Sequence, residues 1–132
     1  MEQLKLLNIP INIDPGGTLP EIHSDELTLK ISFYLLDKEQ RASLNFYGLT
    51  IYKFGYPNEE AISGHRLNKS GLRPFQFFEI KQSNWIKEIE KANRVHPYHK
   101  KNLFADKKHY ILPFHDSTLE VIADSYEFKN SE

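Results

Sequence analysis

Apolar residues recur at every second position through the first half of the chain, which is the period of a half-buried β-strand and not of a helix. Ile9, Ile11 and Ile13 alternate first, with Pro10 inside the run. Proline cannot donate to a ladder, so this strand is expected at a sheet edge. Asp14-Pro15-Gly16-Gly17 then breaks the pattern. Leu27, Leu29, Ile31, Phe33 and Leu35 alternate most cleanly, with Thr28, Lys30, Ser32 and Tyr34 on the opposite face, before Asp37-Lys38-Glu39-Gln40 supplies a polar turn. Leu44 and Phe46 continue on even positions, whereas Leu49 and Ile51 fall on odd ones. A phase slip beside Gly48 predicts a bulge or bend that keeps both halves facing one core.

Residues 55–73 show no clear period and include Gly55, Pro57, Asn58, Gly64 and Gly71. Connections beyond about 12–15 residues are uncommon in compact domains and often functional, which marks this one as a candidate site; a short helix near Glu59 to Ile62 would fit part of it. Strand-like sequence returns from Pro74 to Ile80, with Phe75, Phe77 and Phe78. Ser83 then caps an amphipathic helix near 83–95, its stripe of Trp85, Ile86, Ile89 and Ala92 opposing Lys87, Glu88, Glu90 and Lys91. His96-Pro97 ends it, because the residue before proline is pushed out of the helical region.

Segments 108–114 and 119–128 read as a hairpin. Pairing Phe114 with Leu119, Leu112 with Val121 and Tyr110 with Ala123 collects apolar side chains on one face. The other face then pairs His109 with Asp124, Ile111 with Ile122 and Pro113 with Glu120. A four-residue loop, 115–118, relieves Pro113 of a ladder bond that it cannot donate. The expected fold is therefore a single domain, 1–132, mainly β and α+β at the margin. It is an antiparallel β-sandwich or strongly curved sheet of about six or seven strands, with the one helix packed on it through Trp85 and Ile89.

The chain has 132 residues and no cysteine, which excludes thiol catalysis, disulfide frameworks and Cys-ligated zinc. No stretch approaches the ~18 apolar residues of a membrane span, and Met-Glu-Gln-Leu-Lys lacks the basic start of a signal peptide. A cytoplasmic protein that does not engage membranes is expected.

The net charge of −1 conceals a lopsided distribution. Residues 1–40 carry three basic and seven acidic groups, 41–108 thirteen and six, and 109–132 one and five, giving −4, +7 and −4. The middle block, with Arg66, Lys69, Arg73, Arg94, Lys100, Lys101, Lys107 and Lys108, reads as an anion-binding surface unless the acidic ends fold back and neutralise it. Gly64-His65-Arg66-Leu67 and Gly71-Leu72-Arg73-Pro74 place two arginine forks in one long loop, a pattern suited to phosphate or carboxylate. Aromatic residues interleave with these cations, as in sites where bases stack and phosphates are neutralised, but they are equally what a β core consumes. A pI near 6.6 disfavours non-specific binding of duplex nucleic acid.

The function expected from these patterns is a small binding or inhibitory protein, of toxin-neutralising or regulatory type. Its basic central block would recognise an acidic protein or a phosphate-bearing, nucleotide-like small ligand, with His65, Arg66, Arg73, Arg94, His96, His99 and Lys100 as ligand-binding residues and no cofactor. The alternative is a phosphoester hydrolase or lyase using His115 and Asp116 with basic helpers and Glu120 or Glu79 nearby. His96-x-x-His99 with His115, Asp116 or Glu120 would make that enzyme metal-dependent, but two histidines flanking Pro97 lack the fixed helical spacing that aims two rings at one ion, so no metal site is assigned. Whether the chain is an enzyme, and whether it forms homo-oligomers, stays open; a subunit of a larger assembly would need an exposed apolar strand edge, against which Pro10 and Pro113 argue.

Overall fold

The computed structural model describes residues 1–9, 12–14, 20–36 and 41–130. The expected edge proline Pro10, the break at Pro15 to Gly17 and the turn at 37–40 lie outside the described residues. The described residues form nine strands in two antiparallel sheets. One sheet joins β2 (Glu21–Ser24), β3 (Thr28–Tyr34), β4 (Arg41–Tyr47) and β9 (Ser125–Lys129) in that order. The other joins β1 (Gln3–Leu6), β6 (Phe78–Lys81), β7 (Lys108–Pro113), β8 (Thr118–Ala123) and β5 (Ile51–Gly55). One helix, α1 (Asn84–Ala92), extends as a 3-10 turn over Asn93–Val95.

The mainly β class and the antiparallel pairing are as the alternation predicts; the strand count is higher because two long strands each turn a corner and because β1 and β2 carry no clear alternation, while of the run expected at Ile9 to Ile13 the described residues show only a bridge from Ile13 to Leu35. Beside Gly48 the chain leaves the four-stranded sheet as β4 and enters the five-stranded one as β5, which is the phase slip of the sequence. The run read as 119–128 divides at Asp124 in the same way. Phe46 pairs with Tyr126 across β4 and β9, and Ile51 with Ile122 across β5 and β8, so the two bent strands turn together. Gly48 has φ +66°, and a Cβ there would overlap the Asp124 carboxyl group. Lys107 Nζ binds both sides of the corner, donating to the Gly48 carbonyl at 3.0 Å and meeting Asp124 Oδ1 at 2.8 Å.

Leu29, Ile31, Phe33, Ala42, Leu44 and Phe46 from one sheet pack against Phe77, Tyr110, Leu112, Leu119, Val121 and Ala123 from the other. Ring centroids of Phe46 and Phe77 lie 5.4 and 5.6 Å from that of Tyr110. Each of the larger aliphatic and aromatic side chains contributes about 1.5–3 kcal/mol by leaving water, which makes this cluster the main source of stability. Leu27, placed on the buried face by its phase, is 70% exposed. Its amide donates to Asp25 Oδ1 at 2.8 Å, so Leu27 belongs to the β2–β3 turn and the alternation starts two residues later.

Segment 55–73 is not a free loop. Two 3-10 turns, Glu59–Gly64 and Asn68–Ser70, lay Ile62, Leu67 and Leu72 on the outer face of the five-stranded sheet, against Phe78, Ile80 and Ile111. Asn58 caps the first turn through the Ala61 amide. On the same face, α1 begins at Ser83, whose hydroxyl accepts from the Ile86 amide at 3.1 Å. Its stripe is only half-buried and Ala92 is exposed, and the helix meets the sheet through the Trp85 ring against His109.

The hairpin register differs by two residues from the sequence reading. Leu112 pairs with Leu119, Tyr110 with Val121 and Pro113 with Thr118. Phe114 N–H donates to the Ser117 carbonyl at 2.7 Å, closing a two-residue turn at His115-Asp116. In this register Pro113 occupies a pair that needs no donor, so the shorter turn satisfies the same constraint. A shift of two also keeps every side chain on its face. The prolines do not remove the exposed strand edge: β5 borders its sheet with Ile51, Tyr52 and Phe54 each about two-fifths exposed.

Candidate functional site

Polar chemistry concentrates where α1 meets β7 and β8. The two-residue shift places Ile122 opposite His109, so Glu120 is its diagonal neighbour on the outer face. Their side chains meet, His109 Nε2 lying 2.8 Å from Glu120 Oε1. The other ring nitrogen, Nδ1, is 2.7 Å from Ser83 Oγ. Trp85, two residues into the helix, sets its ring nearly edge-on to the imidazole at 5.4 Å. Glu120 Oε2 faces Lys53 Nζ at 3.5 Å and His65 Nε2 at 3.8 Å. His65 Nδ1 accepts from the Leu67 amide, which leaves the proton on the nitrogen that faces the carboxylate.

Burial by itself would raise the Glu120 carboxyl, but His109, His65 and the Lys53 charge outweigh it and hold the group well below the ordinary carboxylate range. Glu2 behaves likewise. Desolvation opposes its ionisation, while a two-point contact from Arg66, at 2.8 and 3.2 Å, and the Asn84 amide at 2.9 Å lower its pKa. An anion at the N-terminus of α1 is also favoured by the helix dipole.

Two concavities adjoin this network. A cavity of about 810 Å³ is lined by Lys81, Ser83, Lys87, Lys107 and Lys108 with Glu79, Asp106 and Asp124. A groove of about 500 Å³ follows the helix, between Lys87, Glu90, Lys91 and Arg94 on one side and Lys101 and Phe104 on the other. Ile86, Lys87, Phe104 and Ala105 line both, so the two run together. Lys81 is matched with Glu79 at 3.0 Å, Lys107 with Asp124, and Arg94 with Glu90 at 3.5 Å. Lys87, Lys91, Lys101 and Lys108 have no carboxylate at ion-pair distance among the described residues.

The residues singled out from sequence are distributed over this face without converging. His65 is buried against Glu120, and Arg66 is held by Glu2. Arg73 is exposed and donates to the Leu72 carbonyl at 2.8 Å. Arg94 borders the groove. His99 is nearly buried between Asn93 and Glu90 and ties the end of α1 to the segment after it. His96 accepts from the Tyr98 amide, and Lys100 is exposed beside Lys101. His115 and Asp116, 56% and 60% exposed, occupy the hairpin tip, where His115 Nδ1 meets Glu59 at 3.4 Å. Among the described residues no three His, Asp or Glu side chains are grouped to hold a metal ion.

The sequence reading used Ser83 only as a helix cap and paired His109 with Asp124. Their spacing carries no local signal; the sign available was that an imidazole on an otherwise apolar strand, with a carboxylate on the next strand's same face, needs a partner when buried. Comparison with protein-family models, curated proteins and solved structures finds no significant match, so the functional reading rests on this geometry.

Proposed function

We propose that the protein is a small binding protein, of regulatory or inhibitory kind, that receives an acidic segment of another protein in the groove along α1. The observation that carries this reading is the row Lys87, Lys91 and Arg94, at i, i+4 and i+7, facing Lys101 across the groove. Glu90 is the one carboxylate among the described residues that line it. At 1.5 Å rise per residue the row spans about 10 Å of one helix face. That length suits successive carboxylates on an extended chain better than a single phosphate, which is best held by converging donors. Unmatched ammonium groups on flexible stems cost little to leave in water and gain most from a partner of opposite sign. The basic central block is therefore partly spent on the acidic ends, as Arg66 with Glu2 and Lys107 with Asp124 illustrate, and what stays open is the helix and the segment that follows it.

Fluorescent polyglutamate serves as the probe. Binding is expected at low ionic strength and should weaken as salt shortens the screening length. Lys87→Glu with Lys91→Glu should weaken it at least tenfold, since reversing a charge facing a carboxylate at about 4 Å in water swings about 2 kcal/mol. Lys69→Glu, an equally exposed reversal on the 3-10 segment, should change it little. Equal capture by all three proteins would refute the groove, and retention of ATP without retention of polyglutamate would replace the acidic segment by a phosphate ligand.

A further inference from the structure

Ser83, His109 and Glu120 come from three separate elements, the turn after β6, β7 and β8, and they meet in a line. The contacts are 2.7 Å from Ser83 Oγ to His109 Nδ1 and 2.8 Å from His109 Nε2 to Glu120 Oε1. The imidazole has no exposed surface and Glu120 and Ser83 are each 4% exposed, Ser83 lining the 810 Å³ cavity. A hydroxyl at a cavity wall, with a base behind it and a carboxylate orienting that base, is the relation that makes serine a nucleophile, and it is recognised by geometry and not by sequence order. We infer that Ser83 is the nucleophile of a hydrolytic activity toward carboxylic esters, with His109 as general base and Glu120 as its positioning residue. The inference goes beyond the binding reading and does not depend on it.

For His109 to act as the base, its ring proton lies on Nε2, toward Glu120, and Nδ1 accepts from the Ser83 hydroxyl. Lys53 and His65, on the second carboxylate oxygen, keep Glu120 an acceptor, and Trp85 fixes the plane of the ring. Ser83 Oγ bonds to the carbonyl carbon of the ester as its proton passes to His109 Nδ1. The oxyanion develops beside the N-terminus of the nine-residue α1, whose dipole favours negative charge, although the Asn84 and Ile86 amides there already bind Glu2 and the Ser83 hydroxyl. The carbon–alkoxy bond breaks and the alcohol leaves with the proton from His109. Water then adds to the acyl-serine, His109 takes a proton from it, and collapse releases the acid and returns the proton to Ser83. In the cavity wall Lys87 and Lys108 lack a carboxylate partner among the described residues, while Ile86, Leu103 and Phe104 are apolar. The substrate class this suits is an ester whose acyl part carries a second, negatively charged group.

Intact-mass analysis of the folded wild-type protein after treatment with a fluorophosphonate reads the nucleophile directly. A single adduct mapping to Ser83 is expected, lost in Ser83→Ala and slowed at least a hundredfold in His109→Asn, with melting curves showing that both variants are folded. Mono-p-nitrophenyl succinate should be hydrolysed with kcat/KM at least tenfold above that for p-nitrophenyl acetate, and Lys108→Glu should reduce that preference. No adduct on folded wild-type protein overturns the inference whatever the variants do. An adduct on Ser83 that forms as fast in His109→Asn overturns the relay, and equal turnover of the two esters overturns the substrate class.

Discussion

Gly48→Ala tests the corner on which the placement of the cavity depends. Gly48 is left-handed at φ +66°, a conformation that costs an L-residue about 1–2 kcal/mol. The added methyl would also lie 2.9 Å from Asp124 Cβ and closer still to its carboxyl, which must rotate away at about 0.5–1.5 kcal/mol if it leaves its rotamer. The rotation breaks the 2.8 Å contact with Lys107, a part-exposed pair worth about 0.2–1 kcal/mol. The total is about 2–4 kcal/mol, and at roughly 3–4 °C per kcal/mol for a chain of this size the melting temperature should fall by about 6–16 °C. Asp124→Ala removes the carboxyl group, the nearer part of the obstacle, but neither the Cβ nor the strained φ. In urea unfolding the double variant should therefore be less destabilised than the two single costs added, by about 1 kcal/mol. Additive costs, or a Gly48→Ala change within 0.5 kcal/mol, would show that the two bent strands are not wedged together at this point.

Acid should destabilise the protein by a route that Glu120→Gln blunts. Because the folded-state carboxyls of Glu120 and Glu2 are held below the ordinary glutamate value of about 4.5, their contribution is fully present above that pH and is lost as pH falls through the lower folded values. Melting temperatures from pH 7 to pH 3 should fall more steeply for the wild type than for Glu120→Gln; parallel curves would refute the linkage. At neutral pH that variant should already be destabilised by about 1–3 kcal/mol, the cost of disturbing a buried, hydrogen-bonded charge. A second pair checks the core boundary. Phe46→Ala should cost about 3–5 kcal/mol, because Phe46 is wholly buried against Phe77 and Tyr110, whereas Leu27→Ala should stay within about 0.5 kcal/mol by chemical denaturation.

How much of this was legible in the sequence follows from what each pattern can encode. Period-two alternation encodes which face a side chain takes, so the strands at 28–34, 41–47 and 108–113 and their buried sides were readable, as was the corner at Gly48, because a glycine beside a phase slip has a direct geometric meaning. Register is not encoded, since a shift of two leaves every face unchanged. In the register first read from the hairpin, His109 opposes Asp124 and lies four positions along the strand from the partner of Glu120. In the observed one Glu120 is a diagonal neighbour, and a buried imidazole acquires both its carboxylate and, from the capping turn of the next element, its serine. The packing of segment 55–73 was hidden for a related reason: 3-10 turns space Ile62, Leu67 and Leu72 five apart, which matches neither strand nor helix. Charge was legible only as a sum. Glu2 reaches Arg66 across 64 positions, and such pairings, which composition cannot contain, decide which cations of a basic block remain open. Here they withdraw Arg66 and Lys107 and leave the helix row, so the open positive surface lies beside the cavity onto which Ser83 opens.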